Sequence, residues 1–421
     1  MPGIDDFIRP KEWTSEMQEQ MRIAIRKWAD DRLKPIVENV DEDWKDHKLV
    51  EPLLKEVLVD FGLNSAFFPT ELGGQDMPED QYMAMTCTVV EELSRIDSGF
   101  ATACICSIWG LVPILLKPTR NMELLKDIAP KFCGRDLYVG SHLITEPASG
   151  ADVENLGVLK GKTIQTTATL EGDEWIINGH KIWATNTGRV GDLYTVIATT
   201  RKGSSDLNDF GLFLVPRESE GVSVGNPYRK AGMAADMNSD VWFDHVRIPK
   251  KNRLHGPGKD AEYWLRTVSM GQLGTAAMAV GVMKGVYEII KKWTTERIVA
   301  GKPLKEHSIC ADMLSEIAMN IESTSAWMWA YIREWDHPEI YGTKSWDEGF
   351  TLKTRGLAVH SSISVERVCS RAMDFMSSAG YAREYGLEKH WRDSKMIGLW
   401  MGGYGLKVLE NARYWFECET L

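Results

Sequence analysis

The segment Leu143-Ile144-Thr145-Glu146-Pro147-Ala148-Ser149-Gly150-Ala151-Asp152 ends an apolar run in a hydroxyl, a proline and small residues. A strand that ends this way leaves backbone N–H groups and the Thr145 hydroxyl at an open edge, the donor set that a polar ring system or a pyrophosphate needs. The same residues also suit an ordinary strand-to-loop turn. A second segment, Asn178-Gly179-His180-Lys181-Ile182-Trp183-Ala184-Thr185-Asn186, spaces Trp183 and Thr185 two apart, on one side of a strand. An indole face beside a hydroxyl makes a floor for a planar cofactor, although a strand Trp also serves as plain core.

The elements that must carry these segments follow three regimes. Over residues 13–137 the apolar positions recur at three and four, as in Met21-Ile25-Trp28 and Leu53-Val57-Phe61, which predicts helices. Over 138–254 the pattern alternates: strands at 163–170 and 175–177 around a Gly172-Asp173 turn, then Asn178-Gly179 as the sharpest hairpin signal, then strands at 193–199, 211–215 and 241–246. Beyond residue 261 the helical period returns in long segments at 263–294, 309–334, 350–378 and 394–415. The predicted fold is α+β: an N-terminal α-helical domain over residues 1–137, a middle β-barrel or sandwich domain over 138–254, and a C-terminal four-helix bundle over 255–421. A doubly wound sheet would alternate strands and helices throughout, and neither a G-x-G-x-x-G nor a P-loop is present.

Composition narrows the partners. The chain has 421 residues, 43% hydrophobic and 26% charged, as an ordinary multidomain globular protein has. Its 16 Trp suit a roomy aromatic pocket or broad subunit contacts. A net charge of −11 without a basic block argues against nucleic acid. Seven scattered cysteines and an N-terminus without a secretory pattern point to the cytoplasm. The uncharged stretch 99–116 reads as a buried helix, a break at Trp109-Gly110 and the start of another helix, and 267–283 as a helix buried on all sides; no membrane span is expected. Cys104-x-Cys106 lacks companion ligands at any zinc spacing, so no metal is expected.

With these segments in place, the chain resembles the acyl-CoA dehydrogenase family, whose usual forms of the two opening segments are T-E-P-x-A-G-S-D and N-G-x-K-x-W-I-T-N. Glu296-Arg297 with Gly301-Lys302-Pro303-Leu304 is similar to the family's E-R-x-x-F-G-K-P-L, and Gly380-Tyr381-Ala382-Arg383-Glu384-Tyr385 with Trp391-Arg392-Asp393 to its G-Y-x-R-E-Y and Y-R-D segments. The resemblance implies a homotetramer with FAD between the β-domain and the C-terminal bundle. The flavin ring would contact Leu143, Ile144, Thr145 and Gly150 on one side and Trp183 with Thr185 on the other, and Arg297 would reach the adenylate of a neighbouring subunit. Ala151, Trp400, Met401 and Gly402 would meet the substrate. The implied reaction is α,β-dehydrogenation of an acyl-CoA, with electrons passing to an electron-transferring flavoprotein or a similar acceptor.

The departures from that pattern matter as much. Ala300 stands where the family has Phe, Asp374 where it has Gln, and Ser377-Ser378 where it has a Gly pair, all at positions that support FAD across a subunit contact. Both known seats of the catalytic Glu are empty. Met401 occupies the Y-E-G-T seat, and Gly271, beside Gln272 where an Arg is usual, occupies the alternative one. Cys106, His142, Asp374 and Tyr404 remain as titratable candidates, each with a structural alternative. The segment 391–421 looks most like the branch that handles alicyclic carboxyl-CoA thioesters in anaerobic aromatic degradation. The expected function is therefore FAD-dependent oxidation of a cyclic or bulky acyl-CoA. The rival is a desulfinase-like lyase or a non-catalytic subunit of a mixed tetramer.

Overall fold

Three helices at the N-terminal end of the chain start where side chains supply their first acceptors. Helix α1 (Glu16–Trp28) opens on a Ser15/Gln18 capping box, α3 (Ser98–Trp109) on Asp97 and α4 (Met122–Phe132) on Asn121. Between the first two lies α2 (Tyr82–Ser94), buried along its whole length. The computed structural model describes residues 2–150, 153, 164–401 and 403–418. Ala151 and Gly402 lie outside these described residues.

The strands are β1 (Gly140–Leu143), β2 (Thr167–Glu171), β3 (Glu174–Ala184), β4 (Leu193–Thr199), β5 (Phe210–Pro216), β6 (Val222–Val224) and β7 (Ser239–Pro249). They form one curled sheet in the order β1-β4-β2-β3-β7-β6, with β5 on the other side of β4. Its core joins Leu143, Trp175, Tyr194, Phe213 and Phe243. The turn at Gly172-Asp173 is the hairpin of this sheet: Glu171 pairs with Glu174, and Gly172 adopts φ 62°. Asn178-Gly179 is not a hairpin. It lies inside β3 at an irregularity opposite β7, where the Asn178 Oδ1 accepts from the His245 N–H at 2.9 Å. Glycine is needed there for close approach, since a Cβ on Gly179 would lie 2.4 Å from Thr166 Oγ1.

The C-terminal helices are α5 (Lys259–Glu296), α6 (Ser308–Asp336), α7 (Glu348–Met376), α8 (Leu387–Leu399) and α9 (Gly403–Phe416). Helix α5 is long and apolar enough to cross a membrane by length and composition, but 83% of its most apolar window is buried inside the chain, against α2, α6 and α7. The segment predicted as one helix over 394–415 is two helices, broken between Leu399 and Gly403 with Met401 at φ 50°. Ser377, where the resemblance leads one to expect a glycine, takes φ 53° and ψ −135°, a conformation that costs a side chain about 1–3 kcal/mol.

The three regions meet at Asp393 on α8. Its carboxylate accepts from the Met233 N–H at 2.6 Å, from Lys389 Nζ at 2.9 Å and from Ser98 Oγ at 3.3 Å. Asp393→Ala takes one of three carboxylates from the buried Lys389 and leaves the Met233 N–H without its acceptor, so it is expected to lower the unfolding free energy by about 3 kcal/mol. Urea denaturation of variant and parent, read by tryptophan fluorescence, measures this.

Candidate active site

A cavity of about 540 Å³ opens where the sheet, α3, α5 and the α8–α9 break converge. One wall is the end of the sheet. Here Ile144 and Thr145 follow β1, and the Thr145 carbonyl accepts from the Ile182 N–H at 2.9 Å. Beneath them the buried Lys181 Nζ donates to the Ile144 carbonyl at 2.9 Å and to Glu146 Oε1 at 2.7 Å, which ties the strand end to β3.

Trp183 and Thr185 both line the cavity, but not by strand alternation. Trp183 takes φ 62° at a register shift between Lys181 and Ala184, and its carbonyl accepts from Asn238 Nδ2 at 2.8 Å. Its half-exposed indole stacks on Tyr228 with ring centroids 3.9 Å apart. A non-glycine residue held at positive φ beside a cavity marks a backbone fixed by its surroundings for presentation.

The opposite wall is apolar and rich in sulfur: Met270, Met278, Met396, Leu399 and Met401, with Trp109 and Trp400. Gly271 and Met401, the two positions where the resemblance leads one to expect a carboxylate, lie against each other here. A Cβ on Gly271 would lie 2.7 Å from Met401 Cε and 2.8 Å from Trp109 Cζ2. Trp109 is fixed by its Nε1–H, which donates to the Thr267 carbonyl at 2.8 Å, and Trp400 donates to Thr275 Oγ1 at 3.1 Å.

The structure thus gathers Ile144, Thr145, Gly150, Trp183, Thr185, Gly271, Trp400, Met401 and the candidates Cys106 and His142 around one cavity. Leu143 contributes no side chain, which is buried in the sheet core. Asp374, Tyr404 and Arg297 are exposed away from the cavity, Arg297 at the C-terminus of α5 over the Trp293 ring. Burial, aided by Asp236, pushes the Cys106 thiol far above its ordinary value, so it stays protonated and is no base at neutral pH.

Lys230, Asp236 and Asn238 also line the cavity, on the segment between β6 and β7, and sequence reasoning missed them. Lys230 Nζ donates to the Asp236 carbonyl and to Asn238 Oδ1. The only sequence signal was their polarity in a short stretch without periodicity.

His142 Nδ1–H donates to the Thr195 carbonyl at 3.0 Å, and the ring sits edge-on to Trp109. Burial, against the help of that carbonyl, holds the imidazole down to about 3 from 6.5. The unfolded chain takes up a proton below about pH 6.5 that the folded His142 refuses, so stability falls with pH from there by about 1.4 kcal/mol per unit. The gap between denaturation midpoints at pH 7 and 5 is expected to narrow in His142→Asn, which keeps the donor to Thr195, without closing, since burial also lowers His47 and His255. The share from His390, lowered to about 4 by burial, remains.

Models of the acyl-CoA dehydrogenase N-terminal, middle and C-terminal domains match residues 15–121, 141–246 and 261–405. The chain is 28% identical to a cyclohexane-1-carbonyl-CoA dehydrogenase of Syntrophus aciditrophicus over 93% of its length and 94% of that protein's. A protein of the same name from Geobacter metallireducens is also 28% identical, over 95% and 97% of the two chains. The solved butyryl-CoA dehydrogenase of Megasphaera elsdenii superposes with a TM-score of 0.81 at 24% identity, covering 95% of this chain and 98% of that one, which shows a shared fold.

Proposed function

The chain belongs to the acyl-CoA dehydrogenase family and is an acyl-CoA oxidoreductase of it, and we propose that it removes two hydrogens from a cyclic or bulky acyl-CoA, with FAD as its cofactor. The cavity residues fit a flavin. Peptide groups at a strand end, the Thr145 and Thr185 hydroxyls and the strained, half-exposed Trp183 offer a polar edge and a flat apolar face on one wall. Ile144, Thr145, Trp183 and Thr185 would hold the ring. When bound, FAD supplies the acceptor for the β hydrogen as hydride. Arg297, exposed in a single chain, would serve a neighbouring subunit of a homotetramer. An electron-transferring flavoprotein is the proposed partner.

The observation that carries the substrate class is the contact between Met401 and Gly271. It closes the far wall with polarizable apolar groups and leaves no carboxylate at either seat, which suits a ring better than a charged or straight chain. The names of the two bacterial relatives support the same class. Anaerobic mixing with a thioester panel tests it: cyclohexane-1-carbonyl-CoA is expected to bleach the flavin absorbance at least about tenfold faster than butyryl- or octanoyl-CoA, a difference of about 1.4 kcal/mol. Faster bleaching by the straight chains would reject the reading.

Gly271 carries a separate expectation. In Gly271→Ala the flexible end of Met401 can swing away but the anchored Trp109 cannot, so the added methyl is accommodated only by a shift of the cavity wall. Affinity for the cyclic thioester is expected to fall about tenfold, or about 1.4 kcal/mol, and titration calorimetry checks it.

A further inference from the structure

Helix α5 carries four glycines in its interior, Gly271, Gly274, Gly281 and Gly285, and a helix-interior glycine costs stability relative to alanine unless packing requires it. Three of them are required. A Cβ on Gly281 would lie 2.3 Å from the Glu91 carbonyl oxygen, one on Gly285 2.4 Å from that of Arg95, and one on Gly271 2.7 Å from Met401 Cε. A Cβ on Gly274 would meet no atom of the described residues within 4 Å. Gly274 is buried in the fold and lines the cavity, so its missing side chain leaves cavity space where the other three leave room for a packing contact.

That space has a definite shape. Met270, Gly274 and Met278 follow one another at four-residue spacing and line the cavity from one face of α5, so two methionines stand about 12 Å apart along the helix with a bare turn between them. The neighbouring row is filled: Met401 and Trp109 lie against Gly271, and Trp400 donates to Thr275. Met278 is held at the far edge of the notch, its sulfur 3.6 Å from the Thr102 hydroxyl.

The facing helices offer the notch no polar partner of their own. Helix α2 passes at this level, where the Cys87 thiol meets the Leu273 carbonyl at 3.7 Å. The hydroxyl protons of Thr86 on α2 and Thr102 on α3, which both line the cavity, go to the carbonyls of Tyr82 and Ser98 at 2.8 and 2.7 Å. Cys106 on α3 is a neutral thiol. Thr145, Thr185, Lys230 and Asp236 stand on the sheet side, with the groups that would hold the flavin.

We propose, in an inference that rests on the acyl-CoA reading, that the notch over Gly274 between Met270 and Met278 receives the ring of the acyl group and that Gly274 sets the width of acyl group the protein accepts. A ring seated there buries apolar surface against sulfur and methyl groups, and a straight chain, being narrower, covers less of the same notch. The bare turn gives up helix stability and in return keeps the subsite open.

Flavin-loaded parent, Gly274→Ala and Gly274→Val are titrated anaerobically with cyclohexane-1-carbonyl-CoA and with butyryl-CoA, and the half-saturating concentration of each thioester is read from the flavin spectrum. The preference for the cyclic thioester, taken as the ratio of the two concentrations, is expected to fall about tenfold in Gly274→Ala and about a hundredfold in Gly274→Val. Flavin content stays as in the parent, and the urea midpoint of Gly274→Ala holds or rises, since alanine favours the helix and its methyl finds space. A ratio unchanged in Gly274→Ala overturns the assignment, as does loss of flavin or a lowered midpoint in that variant, and each leaves the acyl-CoA reading intact. A flavin-loaded parent whose spectrum responds to no thioester overturns that reading and the assignment together.

Discussion

The arrangement depends on one buried cation. Lys389 Nζ lies 3.1 Å from Asp41, 3.1 Å from Asp97 and 2.9 Å from Asp393, all of them buried or nearly so. Each carboxylate has a second task. Asp97 caps α3, the helix that brings Cys106 and Trp109 to the cavity; Asp393 holds the loop of Lys230, Asp236 and Asn238; and Asp41 pairs with Arg392 at 2.7 Å. Burial of Lys389 alone would drive off its proton, yet the three acids reverse this and hold it well above the ordinary lysine value. An ion cluster of this kind contributes little net stability compared with apolar packing, but each member is expensive to remove singly. Its value lies in specifying how a helix, a loop and a bundle meet.

That fixed meeting point explains why the far wall can change chemistry without loss of the fold. The break between α8 and α9 puts Met401 onto Gly271, where a methionine fills irregular space that a charged side chain would leave poorly solvated. The polar neighbours named at that wall are engaged: the Thr275 hydroxyl donates to the Gly271 carbonyl at 2.8 Å, Trp400 donates to Thr275, and the Thr102 hydroxyl donates to the Ser98 carbonyl at 2.7 Å. None of these three is free to stabilise a carboxylate. The wall is therefore consistently apolar, and the polar chemistry is concentrated on the sheet side, in Thr145, Thr185, Lys230 and Asp236.

The sequence was informative where pattern alone decides structure. Long helical periods gave α5, α6 and α7 within a few residues of their ends, and alternation gave β4, β5 and β7. It misled where a local signal competes with tertiary contact. Asn178-Gly179 favours a tight turn, but Thr166 approaching Gly179 and the pairing with β7 keep the chain extended. The 394–415 period looked continuous because the break at Met401 is made by backbone conformation, which periodicity does not register. For the cavity, the motifs pointed to Thr145, Trp183, Thr185, Gly271 and Met401, which line one cavity in the structure. Asp236 was invisible because it belongs to no motif and faces the cavity only through the loop held by Asp393.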